Sequence, residues 1–242
     1  MKAKKSLSGK ISVGAKLSAE VEAIVERAHT GRCSSSDELD KLAQEWCEHP
    51  NESHEGAEVF LEMLNSFPRM HNGPVVCFRG RRGDSKKITG WENMGPPLNG
   101  SEKGGRYDEP GSIVLYTCSR KDAVAREMPG NGILWIQEYA LPTDTLTILD
   151  VRPSQNRKPG FIDSVFDLAE SSCLEGREGR DDFKFSQLIA RLVARAGFDG
   201  FNAPGVRGER GFWYSNIVIF KPGEAWKDWS RRDEGFERHH EV

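Results

Sequence analysis

The sequence predicts an α+β fold, and two observations predict it. Through its first seventy or so residues the chain shows helical periodicity and no strand signal. At Pro74 the character changes to short apolar strand runs separated by helices and by one long basic passage. The organisation expected is a helical region over 1–72, a mixed domain over 73–222, and a polar tail over 223–242.

In the helical region, Leu17, Val21, Ile24, Val25 and Ala28 form one apolar helical face that His29-Thr30-Gly31 ends. A second helix is expected to start at Ser34-Ser35-Ser36, with Leu39, Leu42, Ala43 and Trp46 inward. A third carries Ala57, Phe60, Leu61 and Leu64 before Pro68 stops it. Pro74 to Phe78 is a compact strand, and Arg79 to Gly111 reads as a long loop. A loop of that length in a domain is usually functional or disordered. A strand over Ser112 to Thr117 follows, then a helix from about Asp122 to Met128. Ser119-Arg120-Lys121-Asp122 has the form of a capping box for that helix. Strands over Ile133 to Leu141 and Leu146 to Val151 meet at a turn through Pro142-Thr143-Asp144. The polar passage from Arg152 to Asp182 holds one helix, Ile162 to Leu168, and reads as an insertion or a cover. Phe185, Leu188, Ile189, Leu192 and Val193 mark a strong helix closed by Gly197, and Asp199 to Asn202 and Asn216 to Phe220 are the last strands.

Composition narrows the function classes. The chain has 242 residues, 37% hydrophobic and 29% charged, enough for a full core. No run approaches the roughly 18 apolar residues of a membrane span, so no membrane association is expected. Met1 to Lys5 is charged but precedes no apolar stretch, and is read as a cytosolic start or a mobile arm. The five cysteines are odd in number and never spaced C-x-x-C, which fits a reducing, cytoplasmic setting and neither disulfides nor zinc. The six histidines lack metal spacing, so no metal is expected. A net charge of -3 argues against general nucleic-acid affinity, although Arg79, Arg81, Arg82, Lys86 and Lys87 crowd one segment.

The chemistry concentrates between Gly104 and Glu127. Gly100 and Gly105 stand at Walker-type spacing, but Arg106-Tyr107 occupies the place of the required Lys and Ser or Thr. The dinucleotide fingerprint G-x-G-x-x-G fails as well. Tyr214-Ser215-Asn216 lacks the glycines of a nucleophile elbow. What remains is a glycine-flanked Arg106 on a loop, Tyr116 at the end of a strand and Glu127 on the following helix. Each alone is an ordinary surface or core residue. Together they are a cation, an aromatic and a carboxylate suited to holding a phosphorylated nucleoside and acting on its sugar.

These residues also resemble a known family. Gly104-Gly105-Arg106-Tyr107, Pro110-Gly111, Leu115-Tyr116, Ala125 to Glu127, Leu149-Asp150, Ser186-Gln187-Leu188, Gly197-Phe198-Asp199-Gly200 and Asn216 to Phe220 look, in that order, like the RES domain. The resemblance covers roughly residues 74 to 222. It implies an ADP-ribosyltransferase-like fold, a small central sheet flanked by helices, and the activity of cytoplasmic bacterial toxins that consume NAD as a substrate without metal. Such toxins are often held by an antitoxin protein. Arg106, Tyr116 and Glu127 would be the catalytic residues. Gly105, Tyr107, Arg79 and Ser215, with Arg106 and Tyr116, would hold the nucleotide. Phe78-Arg79-Gly80 also looks like the strand-borne arginine of related transferases, and ranks second to Arg106. Where the family has its serine, this chain reads Ala203-Pro204-Gly205. The expected activity is hydrolysis or phosphorolysis of NAD. The alternatives are ADP-ribosyl transfer to a protein or nucleic acid, and a non-catalytic binding domain.

Overall fold

The computed structural model describes residues 36–70, 73–84, 86–97, 99–152, 160–171, 183–205 and 213–239. The helix expected from Leu17 lies outside them, as does much of the Arg152 to Asp182 passage. The architecture is α+β: a seven-stranded sheet flanked by helices. Helices α1 (Ser36–Glu48) and α2 (Glu55–Leu64) precede β1 (Pro74–Arg82). Then come β2 (Val114–Cys118), the single turn α3 (Val124–Glu127), β3 (Leu134–Pro142) and β4 (Ile148–Asp150). Helices α4 (Phe161–Ser171) and α5 (Lys184–Arg195) lead to β5 (Gly200–Pro204) and β6 (Ser215–Phe220). The chain closes on α6 (Trp226–Trp229) and β7 (Phe236–His239). None of the described helices is long and apolar enough to cross a membrane.

The strand order is β4-β5-β6-β2-β1-β3-β7, with β4 and β5 parallel and the other pairs antiparallel. Alternation along β6 divides the core. Val218 and Phe220 face the helices, where Trp46, Phe60, Phe161, Phe166, Phe185 and Phe201 pack, while Ile217 and Ile219 face Tyr139, Leu141, Ile148 and Trp226. The helix faces read from periodicity are the faces that bury: Leu39, Ala43, Trp46, Ala57, Phe60 and Leu64 are all inside.

Four elements differ from the sequence reading. First, β1 runs through Arg82 instead of ending at Phe78, because nine positions pair with β3 and override the weak strand propensity of Arg and Gly. Second, Ser119 caps no helix: its Oγ accepts the Ser215 amide at 2.8 Å, and Asp122 pairs with Arg120. Third, α4 is no cover but core, with Phe161, Ile162, Val165 and Phe166 buried against α1, α2 and α5. Fourth, the expected tail supplies α6, whose Trp226 is buried, and β7, which pairs with β3.

Candidate active site

A cleft of about 480 Å³ opens where β1 and β2 part. The two strands register only at Phe78 opposite Cys118. Beyond that point their backbones diverge, and Arg79 spans the gap by donating from Nη1 to the Tyr116 carbonyl at 3.1 Å. The cleft is lined by Arg79, Arg81, Gly105, Arg106, Tyr107, Tyr116, Glu127 and Asn216, among others. Arg106, Tyr116 and Glu127, which come from a loop, a strand and a helical turn, therefore share one cavity. Its volume falls in the usual range of small-molecule sites.

Glu127 is held by one oxygen. Its Oε1 accepts from Tyr214 Oη at 2.6 Å and from Asn216 Nδ2 at 2.8 Å, and no donor among the described residues is bonded to Oε2. Two donors on one oxygen orient the carboxylate and leave the other oxygen for a ligand. Neither Tyr214 nor Asn216 was singled out from sequence, since they lie 87 and 89 residues away from Glu127. Gly205 backs this arrangement. A Cβ there would come within 2.0 Å of the Tyr214 ring, so glycine at the end of Ala203-Pro204-Gly205 makes room for the tyrosine whose hydroxyl reaches Glu127.

The Arg106 loop is tied on both sides. Tyr116 Oη accepts the Tyr107 amide at 3.0 Å and donates to Asp108 Oδ1. From α5, Ser186 Oγ donates to the Arg106 carbonyl at 2.6 Å, and Gln187 Nε2 donates to the Gly105 and Asp108 carbonyls at 2.8 and 3.1 Å. Gly105 is required for close approach, because a Cβ would meet Asp108 Oδ1 at 2.5 Å. Buried backbone groups that lack ladder partners are thus satisfied by side chains. The Arg106 guanidinium lies over the Tyr107 ring, 5.9 Å from its centroid. Burial raises the Tyr116 phenol well above its ordinary range, with the Asp108 charge adding to it, and raises Asp108 too. Tyr116 thus stays protonated and presents its ring to the cleft, with its hydroxyl committed to the loop.

Arg79 is the second cation. Desolvation pulls its guanidinium down to about 10, with neighbouring Arg81 lowering it further, so it remains charged at neutral pH. Its Nε is buried without a hydrogen-bond partner among the described residues. Desolvated guanidinium donors of this kind are costly unless an anion completes them. Cys118 also lines the cleft, but burial pushes its thiol up to about 12 and leaves it a protonated wall residue.

Ser215 does not join the others. Strand alternation puts it with Ile217 and Ile219 on the face opposite Asn216 and Val218, where it is buried; Asn216 is the residue that β6 turns to the cleft. Gly105 and Tyr107 both line the cavity.

No protein-family model matches this chain. No curated protein matches it either. Among solved structures it is similar to a chain of the crystal structure of the M. tuberculosis MbcT-MbcA toxin-antitoxin complex. The identity is 13% and the TM-score 0.42, over 76% of this chain and 90% of that one.

Proposed function

We propose that this protein cleaves the bond between nicotinamide and ribose in NAD, as a toxin-like enzyme that depletes the nucleotide. The observation that carries the reading is the meeting, in one cleft, of the Arg79 and Arg106 guanidiniums with a carboxylate oriented through a single oxygen. The RES-domain resemblance supplies the identity of the nucleotide. Arg79 and Arg106 hold the pyrophosphate, where the planar fork of arginine gives bidentate contact. Tyr116 presents its ring to the nicotinamide half. Breaking the C1′–N bond leaves the electron pair on nicotinamide, which departs neutral, and the ribose passes through an oxocarbenium-like state. Glu127 Oε2 stabilises that charge or holds the ribose hydroxyls. Water or phosphate then adds at C1′, and with water a proton is released.

Trp213 favours a second reading, transfer of ADP-ribose to a macromolecule. It is 75% exposed and precedes Tyr214, so an unburied aromatic stands beside the residue that holds Glu127. The same surface would suit an antitoxin, the partner that the resemblance implies. Incubation of purified protein with labelled NAD, with and without lysate or RNA, separates these outcomes. Free ADP-ribose or its phosphate is expected; label retained on protein or nucleic acid establishes transfer. Nicotinamide release in neither mixture leaves a non-catalytic binding domain and overturns both enzyme readings.

A further inference from the structure

A second cavity of about 480 Å³ lies against the later half of the arginine loop. The cleft described above takes Gly105 to Tyr107 in its wall; this cavity takes Tyr107 to Glu109, and Tyr107 is the residue that the two linings share. It opens between the loop, α5 and the end of β6, where Phe220 pairs with Val114 at the start of β2. The sequence explains why the space exists. On α5, Gln187, Ala190, Arg191 and Ala194 recur at i, i+3, i+4 and i+7 and share one face, and the two alanines leave room that longer side chains would fill. Val114 and Ala190 are buried and Phe220 is half-buried, so the inner wall is apolar.

The charged residues of this lining are Asp108, Glu109, Arg191 and Lys221, and all but one are matched. Arg191 donates from Nε to Glu52 at 2.6 Å and from Nη1 to Glu109. Asp108 is buried and accepts from the Tyr116 hydroxyl. The ammonium of Lys221 has no partner among the described residues. The Lys221 backbone is unusual as well. At φ +44° it lies in the left-handed region, which glycine enters freely and lysine enters at a cost. It also stands directly before Pro222, where extended backbone is the usual choice. Strained backbone of this kind concentrates at ligand sites. Its amide donates to the Ile113 carbonyl at 3.0 Å, which fixes the residue on the exposed side of the cavity.

We propose that this cavity is a second binding site, one that takes a small amphipathic carboxylic acid. The apolar body lies on Val114, Ala190 and Phe220, and the carboxylate meets the Lys221 ammonium. One unmatched lysine beside two acids suits a monoanion; a nucleotide or a pyrophosphate brings more negative charge than this lining balances. The site is separate from the nucleotide cleft and goes beyond the reading above. Its occupant is nonetheless coupled to that cleft. It touches Tyr107 to Glu109, and Gln187, whose Nε2 holds the Gly105 and Asp108 carbonyls, stands in the same wall. Binding here stiffens the loop that carries Arg106, and a stiffer loop costs a nucleotide less to order.

The test is amide NMR of the full chain titrated with octanoate, with octanol as the uncharged control and no nucleotide present. Saturable shifts are expected at Ile113, Ala190 and Ala194, and also at Gly105 and Arg106. Lys221→Gly should weaken octanoate about two- to fivefold and leave octanol unaffected. Glycine adopts the left-handed backbone without strain, so the thermal midpoint of this variant should not fall, and its loss of affinity is not loss of structure. Ala194→Leu, at an exposed position of α5, fills the cavity and should abolish binding of both probes. Octanoate affinity that is equal in wild type and Lys221→Gly, or that survives Ala194→Leu, overturns the proposal, as does the absence of saturable binding. Shifts that stop short of Gly105 and Arg106 overturn the coupling. Because no nucleotide enters these measurements, each failure leaves the NAD reading intact, and failure of that reading leaves this site to stand on its own.

Discussion

The two edges of β1 behave differently. Along one it pairs with β3 at nine consecutive positions, from Pro74 opposite Pro142 to Arg82 opposite Leu134. Along the other it meets β2 at a single position and then parts from it. On the paired side the backbone satisfies itself, and side chains are free to pack. On the parted side the ladder bonds are missing, and polar side chains take their place: Arg79 bonds the Tyr116 carbonyl, and the Tyr116 hydroxyl bonds the Arg106 loop. The contrast shows how a sheet makes a cavity in its own middle, by withholding pairing locally and supplying the lost bonds from residues that also face the cleft.

Substitutions at the two edges should differ accordingly. The largest effect is expected for Glu127→Gln, which keeps an oxygen for Tyr214 and Asn216 but removes the charge. Nicotinamide release should fall by about 10²–10³-fold with the thermal midpoint unchanged; full activity would remove Glu127 from the chemistry. Next comes Arg79→Lys, which keeps a cation but loses the fork across the gap. Affinity for ADP-ribose should drop about 10- to 100-fold, read by calorimetry, and unchanged affinity would assign pyrophosphate binding to Arg106 alone. Tyr116→Phe deletes the bonds to Asp108 and to the Tyr107 amide. It should cost about 1–3 kcal/mol in denaturant unfolding and raise KM more than it lowers kcat, because the arginine loop loosens. The smallest effect belongs to the paired side: Val76→Thr, at a 41% exposed position, should stay within about 0.5 kcal/mol of wild type and leave activity unaltered. A large loss there would contradict the division between the two edges.

Much of this was legible because it rests on short-range pattern. Leu39, Ala43 and Trp46 recur at helical spacing, and their faces are buried as expected. Arg106, Tyr116 and Glu127 lie within 22 residues of one another, and the loop, strand and helical turn that carry them bring them to one cleft. What escaped depends on contacts between distant segments. Ser119 has the identity of a helix cap, yet a strand 96 residues away offers it an amide, and the capping pattern yields. Tyr214 and Asn216 orient Glu127 only because β6 pairs with β2 in a register that no local signal encodes. Ser215 is one residue from Asn216, and in a strand one residue is the difference between the cleft and the opposite face.

The last strand has a consequence for solubility. β3 is apolar along most of its length, from Leu134 through Tyr139 to Leu141, and its outer half would be an open template for another chain were β7 not laid along Leu134 to Gln137. Phe236 stacks on Trp135 at 5.2 Å between centroids, closing that edge with an aromatic pair. The final residues of the sheet thus act as a guard strand, and their detachment would expose a self-associating edge while the cleft, on the far side of β1, kept its walls.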